Sequence, residues 1–209
     1  MPKQHTVKQG EHLMRIAEMY GFDDYRTIWE HPENADLRNE RRDPNILYPG
    51  DLLYIPDRET REEPCETGRR HVFRVHTLPC TLRLRLRDLS DEPVADSPCK
   101  LRIEGDSYEL ATDAEGQIEQ GIPCTAERGL IEAKVVAAPL KIGHLDPVAE
   151  VSGQHARLCN LGYYRGAEDK IDEELFRLAI EEFQCDENLT VTGQGDEQTQ
   201  AKLVARHGC

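Results

Sequence analysis

The sequence predicts an α+β multidomain protein made of a βααβ module, an antiparallel β-sandwich and a three-helix bundle. Three observations predict this order: helical apolar spacing and a short apolar strand near the N-terminus, two-residue alternation in the middle, and helical spacing again near the C-terminus. The expected boundaries are residues 1–57 for the first module, 58–70 for a linker, 71–143 for the sandwich and 144–209 for the helical domain.

The first module is predicted to begin with a strand, Thr6 to Gln9, that turns at Gly10 into an amphipathic helix. The apolar residues of this helix recur three and four positions apart, so one stripe faces a core: Leu13, Ile16, Ala17 and Tyr20. Gly21 follows as the residue that ends the helix.

A second helix is expected behind Asp23 or Asp24 as the capping residue, before Pro32 interrupts it. Its predicted core residues are Tyr25, Ile28 and Trp29. A polar turn or two, residues 33–42, then leads to the turn at residues 48–51 and to a second strand, Leu52 to Ile55, which can pair beside the first.

Alternation of leucine and arginine over residues 82–87 predicts a strand with one apolar and one charged face. We interpret the arginine side as a solvated face paired with acidic neighbours, rather than as a phosphate-binding strip. Turn residues separate the further predicted strands of the sandwich, which are 100–104, 107–111, 117–122 and 131–136.

Helical spacing returns after residue 144. An early helix is expected over Val151 to Leu161, and a later one over Asp196 to His207, where Gly208 stops it. Between them lies a helix capped by Asp172, whose apolar stripe consists of Phe176, Ala179, Ile180 and Phe183.

The net charge of −14 makes nucleic acid and anionic membrane poor partners. There is no apolar run of about 18 residues and no apolar secretory signal near Met1, so we expect a protein that is cytoplasmic as synthesised. Seven dispersed cysteines argue against a disulfide framework, and we expect most to be small core residues, with Cys209 exposed.

Catalytic and metal-binding motifs are absent from the sequence: no His-Glu-x-x-His, no Gly-x-Ser-x-Gly, no phosphate loop and no histidine pair four residues apart. We therefore expect no enzyme activity, no metal and no cofactor. Carboxylate pairs for glycoside cleavage are set by spatial separation, and each module is small for a catalytic cleft.

The stretch from His5 to Gly21, completed by Asn45 to Pro56, resembles a LysM module, the small sugar-binding unit of many cell-wall proteins. The resemblance implies a shallow groove for N-acetylglucosamine polymers between two loops. The residues it assigns to glycan binding are Gly10, Glu11, His12 and Leu13 in the first loop, and Asn45, Ile46, Leu47, Tyr48 and Pro49 in the second. Backbone groups at the Gly10 turn would bond the acetamide.

Three further resemblances extend over the chain. The pattern of residues 31–35 and 43–50 is similar to the LysM subtype of contractile-injection and phage-tail accessory proteins. The turn at residues 112–118 resembles that of carboxypeptidase-regulatory-like and other immunoglobulin-like sandwiches. Residues 158–169 with 179–193 resemble a three-helix peptidoglycan-binding domain, although this chain lacks the usual glycine in its central loop.

Two functions follow from these resemblances. The first is non-catalytic binding of peptidoglycan or another N-acetylglucosamine polymer through the first module, as a cell-wall-targeting accessory. The alternative is a structural adaptor or effector-loading accessory of a type VI secretion spike or phage-like baseplate, with a spike, baseplate or effector protein as partner and delivery to the cell envelope by the injection apparatus.

Overall fold

The computed structural model describes residues 3–58, 66–72, 80–88, 90–134, 137–167 and 170–209. It is a mixed helical and antiparallel-sheet protein, as predicted. The chain forms two compact units: Met1–Asn45 with Pro49–His144, and Ile46–Tyr48 with Leu145–Cys209. Most of the predicted linker, residues 59–65, lies outside the described residues.

The first unit begins with strand β1 (Lys3–Thr6), which pairs antiparallel with β2 (Leu52–Ile55). Between them lie helices α1 (Leu13–Met19), α2 (Arg26–Trp29) and α3 (Ala35–Arg41), with a 3₁₀ turn at Pro32–Asn34 before α3. The module thus contains a third short helix where a polar turn or two was expected.

The prediction for the first strand was wrong, because β1 spans Lys3–Thr6 and not Thr6 to Gln9. Its partner is only four residues long, and Thr6 already lies opposite Leu52, the first residue of β2. Beyond Thr6 the chain makes only isolated bonds with the 48–51 turn, such as Val7 N–H to the Asp51 carbonyl at 2.9 Å.

The predicted stripe of α1 is largely confirmed, since Leu13, Ile16 and Ala17 are buried, while Tyr20 is half-buried. In α2, Ile28 and Trp29 are buried as predicted, but Tyr25 is half-buried.

Buried Asn34 joins this helical part of the first module to β2. Its side-chain amide donates to the carbonyl oxygens of Ile28 and Tyr54, and its Oδ1 accepts from the Tyr54 N–H at 2.8 Å.

Six strands form the sandwich in the same unit: β3 (Cys80–Arg85), β4 (Pro98–Ile103), β5 (Asp106–Ala111), β6 (Gln117–Ile122), β7 (Arg128–Ala133) and β8 (Ala137–Lys141). One sheet pairs β3 with β6, and the other has the order β5-β4-β7-β8, with all pairs antiparallel. Their shared core consists of Leu86, Cys99, Leu101, Ile103, Ile118, Ile122, Ala126 and Ile131.

The predicted strand 131–136 starts three residues too late, because β7 begins at Arg128; residues 135–136 lie outside the described residues. Strand β8 was not predicted. The alternation along β3 is confirmed, since Leu82 and Leu84 pack on the core while Arg83 is exposed and pairs with Glu119 on β6 at 2.6 Å.

The second unit contains three helices, α4 (Val151–Asn160), α5 (Glu173–Asp186) and α6 (Glu197–His207). The Asp172 carboxylate caps α5 by accepting from the N–H groups of Glu174 and Leu175, and Gly208 ends α6 in a left-handed conformation, as predicted. Predicted core residues Ala179, Ile180 and Phe183 are buried together with Leu158, Tyr164 and Leu203.

Arg157 links three backbone segments in the interior of the second unit through hydrogen bonds. The guanidinium is fully buried and donates to the carbonyl oxygens of Asp146, Gly153 and Cys209 at 2.8–2.9 Å. Cys209 is therefore half-buried, which corrects the expectation of an exposed terminal thiol. Within the described part of the chain, no helix combines the length and the apolar character that crossing a membrane requires.

Candidate functional site

The first predicted loop, Gly10 to Leu13, packs against the sandwich within the first unit. A Cβ added to Gly10 would lie 3.1 Å from Nε2 of His144, and one added to Gly143 would lie 2.7 Å from the Gly10 carbonyl oxygen. Beside the loop, Arg15 on α1 forms an ion pair with Glu127 at 2.7 Å. The backbone turn that was expected to bond an acetamide is thus covered by protein.

Glu11 is buried and its carboxylate is already engaged. It accepts from the Lys8 N–H at 2.9 Å and contacts Nε2 of His5 at 2.8 Å, and His5 in turn contacts the Tyr20 hydroxyl at 3.1 Å. Burial alone would raise the pKa of Glu11, but these hydrogen bonds outweigh it and lower the pKa below its ordinary value. The carboxylate therefore serves the fold of the β1–α1 connection.

His12 and Leu13 are buried as well, at 7% and 0% exposure. Burial lowers the pKa of His12, which is hydrogen-bonded to the backbone of Cys124, so the ring is favoured in its neutral form. The Leu13 N–H donates to the Pro44 carbonyl at 3.2 Å.

In the second predicted loop, only Asn45 is exposed. Ile46 and Leu47 are buried, whereas Tyr48 and Pro49 are half-buried. Residues 46–48 group with the second unit, while Asn45 and Pro49 belong to the first, so the nine predicted residues are divided between two units. Their role in glycan binding stays a prediction.

In the second unit, a different loop is fixed by hydrogen bonds to a buried side chain. This loop consists of residues 188–195, between α5 and α6. Its centre is Gln184 of α5, which is fully buried. The side-chain oxygen of Gln184 accepts from the N–H groups of Thr192 and Gly193 at 2.8 and 3.0 Å. Its amide nitrogen, which carries two hydrogens, lies within hydrogen-bonding distance of the Gln194 carbonyl and of the hydroxyls of Thr192 and Thr199, at 2.8–3.0 Å.

This 188–195 loop presents an uncharged surface. Its residues are Asn188, Leu189, Thr190, Val191, Thr192, Gly193, Gln194 and Gly195. Thr190, Thr192 and Gln194 are exposed, and Val191 is 54% exposed. The N–H groups of Thr190 and Val191 have no hydrogen-bond partner among the described residues.

Charged residues at both ends of the 188–195 loop are held by their own partners. Glu187 pairs with Lys202 at 3.1 Å and with Arg206 at 3.4 Å. At the other end, hydrogen bonds from Thr199 lower the pKa of Asp196, which caps α6. The loop therefore offers amide, hydroxyl and methyl groups between flanking charged side chains that are ion-paired at one end and hydrogen-bonded at the other.

Sequence reasoning did not identify the 188–195 loop as a site. Residues 189–193 contribute to the resemblance to a three-helix peptidoglycan-binding domain, but glycan binding was assigned to the loops of the first module instead. The available signal was a run of eight uncharged residues in a chain with net charge −14. Among the residues that the structure describes, no group of three or more histidine, cysteine or acidic side chains is arranged to hold a metal ion.

The comparisons with known proteins concern this second unit. No match was found among curated proteins or among solved structures. Residues 151–203 match the family described as "Putative peptidoglycan binding domain", and this range runs from the first residue of α4 into α6 and includes the whole 188–195 loop. The C-terminal helical part of the chain is therefore similar to peptidoglycan-binding domains.

Proposed function

We propose that this protein binds peptidoglycan without cleaving it, and that the 188–195 loop makes the contact. The observation that carries the proposal is the family match over residues 151–203, which supports binding of cell-wall glycan by the second unit. In this role the protein is synthesised in the cytoplasm and then delivered to the cell envelope. There it acts as an accessory that is targeted to the cell wall.

The chemistry of the loop suits an N-acetylated sugar. The backbone N–H groups of Thr190 and Val191 can donate to the acetamide carbonyl, and the Thr190 hydroxyl can bond a sugar hydroxyl. The Val191 side chain offers apolar surface to the acetamide methyl group. Because Gln184 holds the loop in place, little conformational entropy is lost when a ligand binds.

Charge also favours this surface. Peptidoglycan tends to be anionic, and the protein carries a net charge of −14, so contact through acidic residues would be repulsive. An uncharged loop avoids that repulsion at the point of contact. Recognition then rests on hydrogen bonds and apolar contact.

Binding of N-acetylglucosamine by the first module is a second route to the same polymer. It would use the Gly10–Leu13 and Asn45–Pro49 loops, as the LysM resemblance implies. The burial of Glu11, His12 and Leu13 means that this route first requires the Gly10 loop to leave the sandwich. The 188–195 loop needs no such change.

Sedimentation with insoluble peptidoglycan tests the proposal. Val191→Asp should reduce co-pelleting about tenfold or more, because it removes the methyl contact and adds a charge against an anionic polymer. Val151→Asp is the matched control, since Val151 is 53% exposed on α4 and lies outside the loop. Asn45→Asp, which adds the same negative charge, probes the predicted groove of the first module.

The results separate the two routes. Loss with Val191→Asp and full binding with the other two variants supports the 188–195 loop. Loss with Asn45→Asp alone would move the contact to the first module. If the wild-type protein does not co-pellet above an unrelated acidic protein, the proposal is rejected.

A structural adaptor function is the second candidate, and the packing of the first module on the sandwich favours it. Met14 and Arg15 of α1 contact Cys80 and Glu127, so this module has a structural partner in its own chain. We would expect a spike, baseplate or effector protein to be enriched with the tagged protein from a lysate of the native host. Failure to enrich any such protein would count against the adaptor.

A further inference from the structure

Two cysteines that are far apart in the sequence lie together in the first unit. Cys80 is the first residue of β3 and lies opposite Ile122, the last residue of β6. Cys124 follows only two positions after Ile122, and the thiols of Cys80 and Cys124 are in hydrogen-bonding contact. Both side chains are half-buried, and neither forms a disulfide in this structure.

Their surroundings hold the pair in place. The Cys80 thiol donates to the Met14 sulfur at 3.5 Å, and His12 is hydrogen-bonded to the backbone of Cys124. The ladder of six residue pairs between β3 and β6 fixes the backbone on one side of the pair. The pairing of β3 with β6 and these neighbouring contacts therefore position the two sulfur atoms close together.

We propose that Cys80 and Cys124 form an intramolecular disulfide when the folded protein meets an oxidising disulfide such as oxidised glutathione. This modification site goes beyond the proposed binding function and uses none of its residues. In the first step, the thiolate of one cysteine attacks a sulfur of oxidised glutathione, forms a mixed disulfide and releases one reduced glutathione.

In the second step, the other protein thiolate attacks the protein sulfur of the mixed disulfide. A protein sulfur–sulfur bond forms, and the second glutathione leaves as a thiol. The two protons lost by the protein thiols end on the two glutathione thiols, so oxidised glutathione is the only oxidant required.

The environment of Cys80 sets the rate of this exchange. Burial, together with the neighbouring Cys124 thiol, raises the pKa of Cys80 to about 12. The Cys80 sulfur is therefore protonated at neutral pH, and we expect the exchange to be slow there and to accelerate as the pH rises. Oxidising compartments such as the bacterial cell envelope are where disulfides persist.

Peptide mapping of the full chain tests the inference. The reduced protein is incubated with oxidised glutathione at pH 8, its remaining thiols are alkylated, and it is digested with trypsin without reduction. The expected product joins the peptide 75–83, which contains Cys80, to the peptide 103–128, which contains Cys124; each has one cysteine. Dithiothreitol should abolish this product.

Variants sharpen the test. Cys80→Ser should eliminate the linked peptide and leave a glutathione adduct on Cys124, whereas Cys185→Ser is the control, because Cys185 is exposed and should not affect the linkage. The peptide map of the wild-type protein remains a valid test even if the Cys80→Ser variant folds poorly. Glutathione on Cys185 without any linked peptide 75–83/103–128 would overturn the proposal.

A melting curve provides the second measurement. The disulfide closes a loop of more than forty residues, so the oxidised protein should melt several degrees above the reduced protein. A linked peptide accompanied by a lower melting temperature would show that the bond distorts the fold, and would overturn the claim that the folded protein is arranged to form it.

Discussion

The Gly10–Leu13 loop of the first unit and the 188–195 loop of the second unit are both short connections beside a helix, but they differ in their exposure to solvent. The first is covered by the sandwich, and Glu11, His12 and Leu13 are all buried. The second is exposed along most of its length, and the buried Gln184 side chain holds it through hydrogen bonds to its backbone.

Whether a loop is accessible to a ligand therefore depends on its neighbours as much as on its own residues. The polar side chains of Gly10–Leu13 have protein partners, and the apolar ones lie in the core. In the 188–195 loop, the internal hydrogen bonds are satisfied by one buried side chain, which leaves the outer surface for a ligand.

Replacing Gln184 by leucine should have the largest effect. The substitution removes every side-chain hydrogen bond between Gln184 and the loop and leaves the buried Thr199 hydroxyl and loop N–H groups with fewer partners, which should lower the free energy of unfolding by about 3 kcal/mol. Urea unfolding followed by circular dichroism measures it. The same variant should lose co-pelleting with peptidoglycan; retained binding would show that the shape of the 188–195 loop is irrelevant.

The covered loop can be tested at Gly10, which has φ +84° and a crowded Cβ position. Gly10→Ala should cost about 2 kcal/mol, because it combines a left-handed backbone with a contact against His144. Gly208→Ala is the matched control: its φ is +97° but no atom lies within 4 Å, so about 1 kcal/mol is expected. Equal losses at the two positions would mean that the Gly10 loop is not held against the sandwich.

Acidification should destabilise the covered loop through His12. Its pKa is lowered from 6.5 in the folded state by burial, so both states are neutral above that pH and the histidine has no effect there. As the pH falls below 6.5, the unfolded chain binds a proton first, and stability declines until the folded state also protonates.

His12→Asn should therefore flatten the fall in the urea midpoint of the first unit between pH 7.5 and pH 5.5. His207 in the second unit also has a pKa lowered by burial, with Arg157 as a further cause, so His207→Asn gives the corresponding comparison. An unchanged pH profile in His12→Asn would contradict the burial of the ring.

The smallest change in stability is expected for Thr190→Ala on the exposed loop. A surface substitution of this kind should alter the free energy of unfolding by less than about 0.5 kcal/mol. If the Thr190 hydroxyl bonds the glycan, affinity for peptidoglycan should still fall about fivefold, the worth of one hydrogen bond. A binding isotherm with soluble peptidoglycan fragments checks it, and unchanged affinity would exclude that hydroxyl from the contact.

Local patterns were sufficient to predict much of the fold. The stripe and Asp172 cap of α5, the Gly208 end of α6 and the alternation along β3 all depend on residues within one or two turns of each other. Strand β8 was missed, because its sequence Ala-Ala-Pro-Leu-Lys shows little alternation and contains a proline.

Features that depend on distant contacts could not be predicted from the sequence. The Gly10 loop is covered by residues more than a hundred positions further along the chain. The contact between Cys80 and Cys124 follows from the pairing of β3 with β6, which the dispersed spacing of the cysteines conceals. For Gln184, the role emerges only when the loop after α5 folds back over it.

The absence of formal charge from the 188–195 loop has a consequence for how the protein would stay on the wall. Attachment through ionic contacts weakens as counter-ions accumulate, whereas contacts made by amides, hydroxyls and methyl groups do not. Wall fragments rinsed with molar sodium chloride should thus retain this protein after electrostatically adsorbed proteins have been removed.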